Sequence, residues 1–151
     1  MFPSCRWTAS LVFAALAITL SSCAHTGGGG GGEVSMPAPG LAGTAWRITE
    51  IAGAVADATS DATLRFDAGG LVSGSTGCNK FTGMAAIEAD NLTFTPLATT
   101  RLACAPELMA QEQSFLSAIQ AVRRFAVDPD GRLQLLGADG GPLVRLSRAT
   151  P

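Results

Sequence analysis

Between Leu41 and Ser147 the chain runs in short stretches where apolar and polar side chains alternate, each closed by glycine, asparagine or aspartate. Period-two alternation marks an extended strand with one buried face, because successive side chains project to opposite sides. Trp46 and Ile48 share one face of a strand expected over Thr44–Ile51, with Trp46 in the core. Ala52–Asp61 carries no alternation and reads as a loop. Ala62, Leu64 and Phe66 alternate with Thr63, Arg65 and Asp67, and the turn signal Asp67-Ala68-Gly69-Gly70 returns the chain as a hairpin partner over Leu71–Thr76. Short strands are expected over Met84–Ala89 and, past the Asp90-Asn91 turn, over Leu92–Leu97, where Pro96 limits pairing. Nearer the C-terminus, Phe125 with Val127, Leu133 with Leu135, and Leu143–Leu146 are separated by the turns Asp128-Pro129-Asp130-Gly131 and Gly137-Ala138-Asp139-Gly140-Gly141.

One segment changes period. Over Pro106–Val122, Leu108, Glu112, Phe115, Ile119 and Val122 recur at spacings of four and three, and Leu116 widens the stripe, which predicts an amphipathic helix. Proline in its first turn removes no intrahelical bond, and Glu107 suits the positive end of the helix dipole. Glu112, the polar member of the stripe, is expected at its edge. Single short strands joined by tight turns, with one helix among them, predict an α+β domain: an antiparallel sheet with the helix across it or plugging a curved end.

The most specific stretch is Gly74-Ser75-Thr76-Gly77-Cys78-Asn79-Lys80-Phe81-Thr82-Gly83. Glycine supplies positive φ or close backbone approach and asparagine tolerates the left-handed region, so the stretch reads as a strand that bends sharply at Cys78.

The N-terminus changes the reading of the cysteines. Residues 1–22 hold Arg6, an apolar run from Leu11 to Leu20 and two small residues, the layout of a signal peptide too short for a helix of about 20 apolar residues to span a bilayer. Leu20-Ser21-Ser22-Cys23 resembles the bacterial lipobox, which makes Cys23 the acylated first residue of the mature chain. Cys5 leaves with the signal, and Cys78 and Cys104 remain as an even pair in an oxidising compartment, so a bridge between them is expected. Residues 23–40, with six consecutive glycines from Gly27 and the run Pro37-Ala38-Pro39, form a flexible tether with a reach on the order of 20 Å. Ala24 lacks the aspartate that retains many lipoproteins in the inner membrane, which points to the periplasmic face of the outer membrane.

Charge removes one class of partner. Loss of residues 1–22 takes away Arg6 and no acid, leaving 9 basic and 12 acidic side chains. Arg123-Arg124 is the one adjacent basic pair, and nucleic acid requires several clustered cations.

Gly74-x-x-Gly77-Cys78-Asn79-x-Phe81-x-Gly83, followed by Leu92-x-Phe94 and Thr100-Arg101-x-x-Cys104, resembles the META domain of the HslJ-like heat-shock proteins. Gly43-Thr44-x-Trp46, Glu112-x-x-Phe115-Leu116 and Leu133-x-Leu135 extend the likeness over Leu41–Leu146. The resemblance implies a small antiparallel, partly closed, barrel-like sheet with one helix, in envelope or secreted proteins linked to heat shock, novobiocin resistance or virulence. It also implies a likeness in fold to lipoprotein pilots of type III secretion, and it brings no catalytic residues. Met84 stands where the family carries an aromatic, which is expected to loosen packing beside the bend.

No catalytic residue, metal or cofactor is expected. The chain's one histidine, His25, lies in the tether, and there is no tyrosine, so Cys or Ser next to a histidine base cannot be assembled in the domain. Asp128 and Asp130 are explained by their turn and lack the further oxygen ligands of a calcium loop. Gly74–Lys80 lacks the Gly-Lys-Ser/Thr ending of a phosphate loop. Two function classes stay open: a non-catalytic envelope binding or stress module, with a carrier for a lipid tail or amphipathic segment as its variant, and a thiol-active protein using Cys78 and Cys104. The expected partners are the membrane, through Cys23, and an envelope protein or hydrophobic ligand.

Overall fold

The computed structural model describes residues 40–149; the signal segment, Cys23 and the tether up to residue 39 lie outside the described residues. In chain order the elements are β1 (Thr44–Ile51), β2 (Ala54–Val55), β3 (Thr63–Phe66), β4 (Leu71–Ser75), β5 (Lys80–Glu88), β6 (Asn91–Phe94), β7 (Ala98–Thr99), α1 (Pro106–Ala121), β8 (Arg124–Val127), β9 (Leu133–Leu136) and β10 (Pro142–Arg148). Every pairing is antiparallel, as hairpins with short turns require. The sheet runs β10-β9-β8-β6-β5-β4-β3-β1, and β1 pairs again with β10, so the strands form a ring. β2 and β7 are short additions on β1 and β5.

The ring is only partly closed. β6 and β8 align at one pair, Asn91 opposite Arg124, held by hydrogen bonds from Leu92 N–H to the Arg123 carbonyl and from Phe125 N–H to the Asp90 carbonyl. The helix packs against β10, β1 and β6 and sends Phe115 and Ile119 inward, both fully buried. Trp46, Leu64, Phe66, Val72, Leu92, Leu133, Leu135 and Leu146 meet them from the strands. Burying each such side chain contributes about 1.5 to 3 kcal/mol relative to exposure, which is why the alternating runs fold as they do. Arg123 donates from Nη1 to the carbonyls of Gln120 and Val122, capping the helix end before β8.

Several expectations change in detail. The loop over Ala52–Asp61 contains β2, which pairs Val55 with Glu50. β5 begins at Lys80, four residues before the expected strand, because Ser75 and Lys80 already pair across a hairpin. The strand expected over Leu92–Leu97 stops at Phe94; Thr95 N–H bonds to the Met84 carbonyl, Pro96 has no amide to offer, and pairing with β5 resumes only at β7. Met84 is 45% exposed and sits opposite Leu71, at the far end of the hairpin from its turn, so the missing aromatic leaves the packing at the bend untouched. Leu108 is half-buried, and the fully covered stripe of the helix is Glu112, Phe115, Ala118 and Ile119.

Candidate functional site

The glycine-rich motif forms the turn of the β4–β5 hairpin. A strand with a bend is replaced here by a full reversal: Thr76 N–H donates to the Asn79 carbonyl at 2.8 Å, and residues 76–79 connect Ser75 to its partner Lys80. Gly77 has φ +97°, a region that side chains with a Cβ rarely enter, and a Cβ there would lie 2.5 Å from that of Ser60. Gly74 answers a different need. A Cβ on it would fall 2.0 Å from the Thr63 carbonyl oxygen, so β3 and β4 can approach only over a bare backbone.

Two side chains hold the turn in place. Thr76 Oγ1 accepts from Asn79 N–H at 3.0 Å and donates to Glu112 Oε2 at 2.6 Å. Asn79 Nδ2 donates to Glu112 Oε1 at 3.2 Å, to the Leu102 carbonyl at 3.4 Å and to Cys78 Sγ at 3.4 Å. Asn79 Oδ1 accepts from Thr100 Oγ1 at 2.7 Å and from Leu102 N–H at 2.8 Å. One buried amide therefore ties the turn, the helix and the 100–104 segment together. Glu112, expected at the edge of its stripe, is instead 8% exposed and receives two hydrogen bonds from the turn. Burial of a carboxylate is tolerated because both oxygens are bonded.

Gln111 extends the clamp one residue along the helix. Its Nε2 donates to the Thr76 carbonyl at 2.9 Å and to Ser60 Oγ at 3.2 Å, and its Oε1 accepts from Asp57 N–H at 2.8 Å. Hydrogen bonds from the Thr59 hydroxyl and amide hold the Asp57 carboxyl below the usual aspartate range. Likewise the backbone amide of Arg132, then its guanidinium, hold Asp128 low, which accounts for that acid within its own turn.

Cys78 and Cys104 are bridged, with Cα atoms 6.0 Å apart. Phe81 packs on Phe115 with ring centroids 5.2 Å apart, joining β5 to the helix. A Cβ on Gly83 would fall 2.6 Å from Leu97 Cδ2, where the chain crosses back from β6 to β7. Of the motif residues, Gly74, Gly77, Cys78, Asn79, Thr100 and Cys104 converge on the turn, whereas Arg101 is exposed and takes no part in its bonding. Thr76, Gln111 and Ser60 were not singled out from sequence; hydroxyls in a turn or loop carry no periodic signal, and Gln111 lies on the helix outside its apolar stripe.

The Asn79→Ala variant is expected to destabilise the domain by about 2 to 3 kcal/mol, since it strips partners from the Glu112 carboxylate, the Leu102 amide and the Thr100 hydroxyl. Equilibrium urea unfolding measures the change. A loss below about 1 kcal/mol would mean that the bridge alone positions the turn.

A partly closed antiparallel ring, one helix and a turn cross-linked by a disulfide and a buried acid define a small α+β domain whose distinctive residues are spent on architecture. Residues 39–150 match the family model of the META domain, and the chain belongs to that family. The META domain is not known as a catalytic family. Among solved structures, the chain is similar to an NMR structure of a protein from Burkholderia xenovorans, with 27% identity and a TM-score of 0.60 over 74% of this chain and 85% of that one. A second NMR structure shares the fold at 23% identity and a TM-score of 0.55, covering 71% of this chain and 90% of that one. No curated protein matches the chain.

Proposed function

We propose that the chain is a non-catalytic lipoprotein of the cell envelope, anchored through Cys23, whose META domain serves as a binding module in envelope stress or antibiotic tolerance. The observation that carries the non-catalytic reading is the bonding of the motif: Thr76, Asn79, Gln111 and Glu112 direct their polar atoms at one another and at the backbone. Groups committed in this way hold a shape and have no free proton acceptor to offer a substrate. The filled interior, with Trp46, Phe66 and Phe115 nearly or fully buried, speaks against the variant in which a lipid tail is carried inside the ring.

Binding is then a matter of the outer surface. A cleft of about 320 Å³ separates Ala54 and Val55 from Glu107, Ala110 and Ser114 on the helix, and Val55 at its rim is 85% exposed. Apolar contact flanked by the carboxylates of Asp57 and Glu107 suits an amphipathic segment of another envelope protein carrying basic residues.

Two measurements test the reading. Cys23→Ala is expected to block lipid attachment and to shift the protein from the detergent phase to the aqueous phase; unchanged partitioning would remove the anchor from the proposal. The bridged protein is expected to show no disulfide reductase or isomerase turnover, and turnover abolished by Cys78→Ser would make it a thiol-active protein instead.

A further inference from the structure

A third sulfur stands beside the bridge. Met109 Sδ lies 3.8 Å from Cys78 Sγ, and Met109 is one turn into the helix, where its amide donates to the Ala105 carbonyl. Cys104 immediately precedes Ala105, the residue that caps that helix. Met109 is 37% exposed and both cysteines are half-buried, so the sulfurs are reachable from solvent yet held by a helix and a bonded turn.

We infer that, once the bridge is reduced, Cys78, Cys104 and Met109 form a three-sulfur site for a soft monovalent cation, Cu(I). Three sulfurs around one metal at about 2.3 Å stand roughly 4 Å apart, the separation Met109 already keeps from Cys78. The Cα atoms of the two cysteines, 6.0 Å apart, allow their sulfurs to part to that distance by side-chain rotation. Asn79 Nδ2 lies 3.4 Å from Cys78 Sγ, and Cys104 directly precedes the cap residue of the helix, so a donor or the positive end of the helix dipole stands near the two sulfurs that would carry negative charge in the metal complex.

The donor set selects the ion. A thioether is a poor ligand for Zn(II), which takes four N, O or S donors, whereas two thiolates and a thioether suit Cu(I). The described residues contain no histidine, and they hold no cluster of three or more His, Cys, Asp or Glu that could complete a harder site.

The chemistry balances with a dithiol as reductant. The bridge takes up two electrons and two protons and becomes two thiols, while the dithiol becomes its own disulfide. Cu(I) then displaces both thiol protons to solvent, and Met109 binds as the neutral third ligand. The metal rejoins the residues that the disulfide joined, so the turn stays stapled in either state.

The test uses the full chain with Cys5→Ser and Cys23→Ser, so that Cys78 and Cys104 are the remaining thiols. Reduced with a phosphine, desalted without air and titrated against Cu(I) held by bicinchoninate, it is expected to withdraw one equivalent. X-ray absorption should show three sulfur neighbours. Met109→Leu, a swap that keeps volume, should weaken binding at least tenfold, and the Cys78→Ser, Cys104→Ser pair should abolish it. If reduction loosens the fold, Cu(I) should restore the circular dichroism of the bridged form. Failure to withdraw copper, failure to restore a loosened fold, a two-sulfur site, or undiminished binding by Met109→Leu would each overturn the inference.

Discussion

Gly74→Ala is expected to cost the domain about 4 kcal/mol or more of its stability. The added Cβ would sit 2.0 Å from the Thr63 carbonyl oxygen and 2.8 Å from Phe81 Cζ, both far inside contact distance. Neither neighbour can retreat cheaply. Thr63 is fixed on β3 by pairing with Arg47 on one side and Ser75 on the other, and Phe81 is wedged against Phe115. Overpacking of a rigid site ordinarily costs 1 to 3 kcal/mol, and a clash with backbone belongs at about 4 kcal/mol or above, a large share of the 5 to 15 kcal/mol that holds a domain together. Gly131→Ala is the control, because its position opens to solvent and only its φ of +77° opposes a side chain. Soluble yield and chemical unfolding should separate the two variants by several-fold in denaturant resistance. A Gly74→Ala domain with an unchanged unfolding midpoint would refute the close approach of β3 and β4.

Removing the bridge is the next largest change. Cys78 and Cys104 are 26 positions apart, and by the chain-entropy relation closing such a loop stabilises the folded state by about 3.5 kcal/mol. The Cys78→Ala, Cys104→Ala domain should therefore fold but melt roughly 10 to 20 °C lower. It should keep its shape because Asn79 still joins the turn to Leu102 by two hydrogen bonds. Calorimetry of bridged and unbridged protein gives the value directly. A shift of only a few degrees would show that the unfolded chain already restrains this loop.

The ring could be read from the chain to the extent that its strands obey period two. Leu64 and Phe66, or Leu133 and Leu135, alternate and are buried as alternation demands. The helix announced itself by spacing, and Phe115 and Ile119 face inward accordingly. β2 and β7, two residues each, are too short to carry a period, and they exist because a neighbouring strand offers free backbone groups. Gly77 was legible as a residue needing positive φ. Gly74 was legible only as one of two alternatives, since close approach depends on a strand distant in sequence. Glu112 went the other way. A carboxylate in an apolar stripe belongs at the margin unless partners reach it, and Thr76 and Asn79 lie more than 30 residues upstream.

The meeting of β1 with β10 fixes an order of events during synthesis. A chain made from its N-terminus can close the β3–β4 and β4–β5 hairpins before the helix and the last three strands are made, yet one edge of β1 waits for the last strand. Until Val144 and Leu146 emerge, Ile48 and Ile51 have no partner on that side and an open backbone edge invites pairing with other chains. Contacts this remote in sequence also slow folding, because the loop entropy of the whole domain must be overcome before the final pairing gives anything back. Loss of the last strand therefore exposes two edges at once, on β1 and on β9, so that a chain cut short near its C-terminus is an aggregation seed rather than a slightly weaker domain.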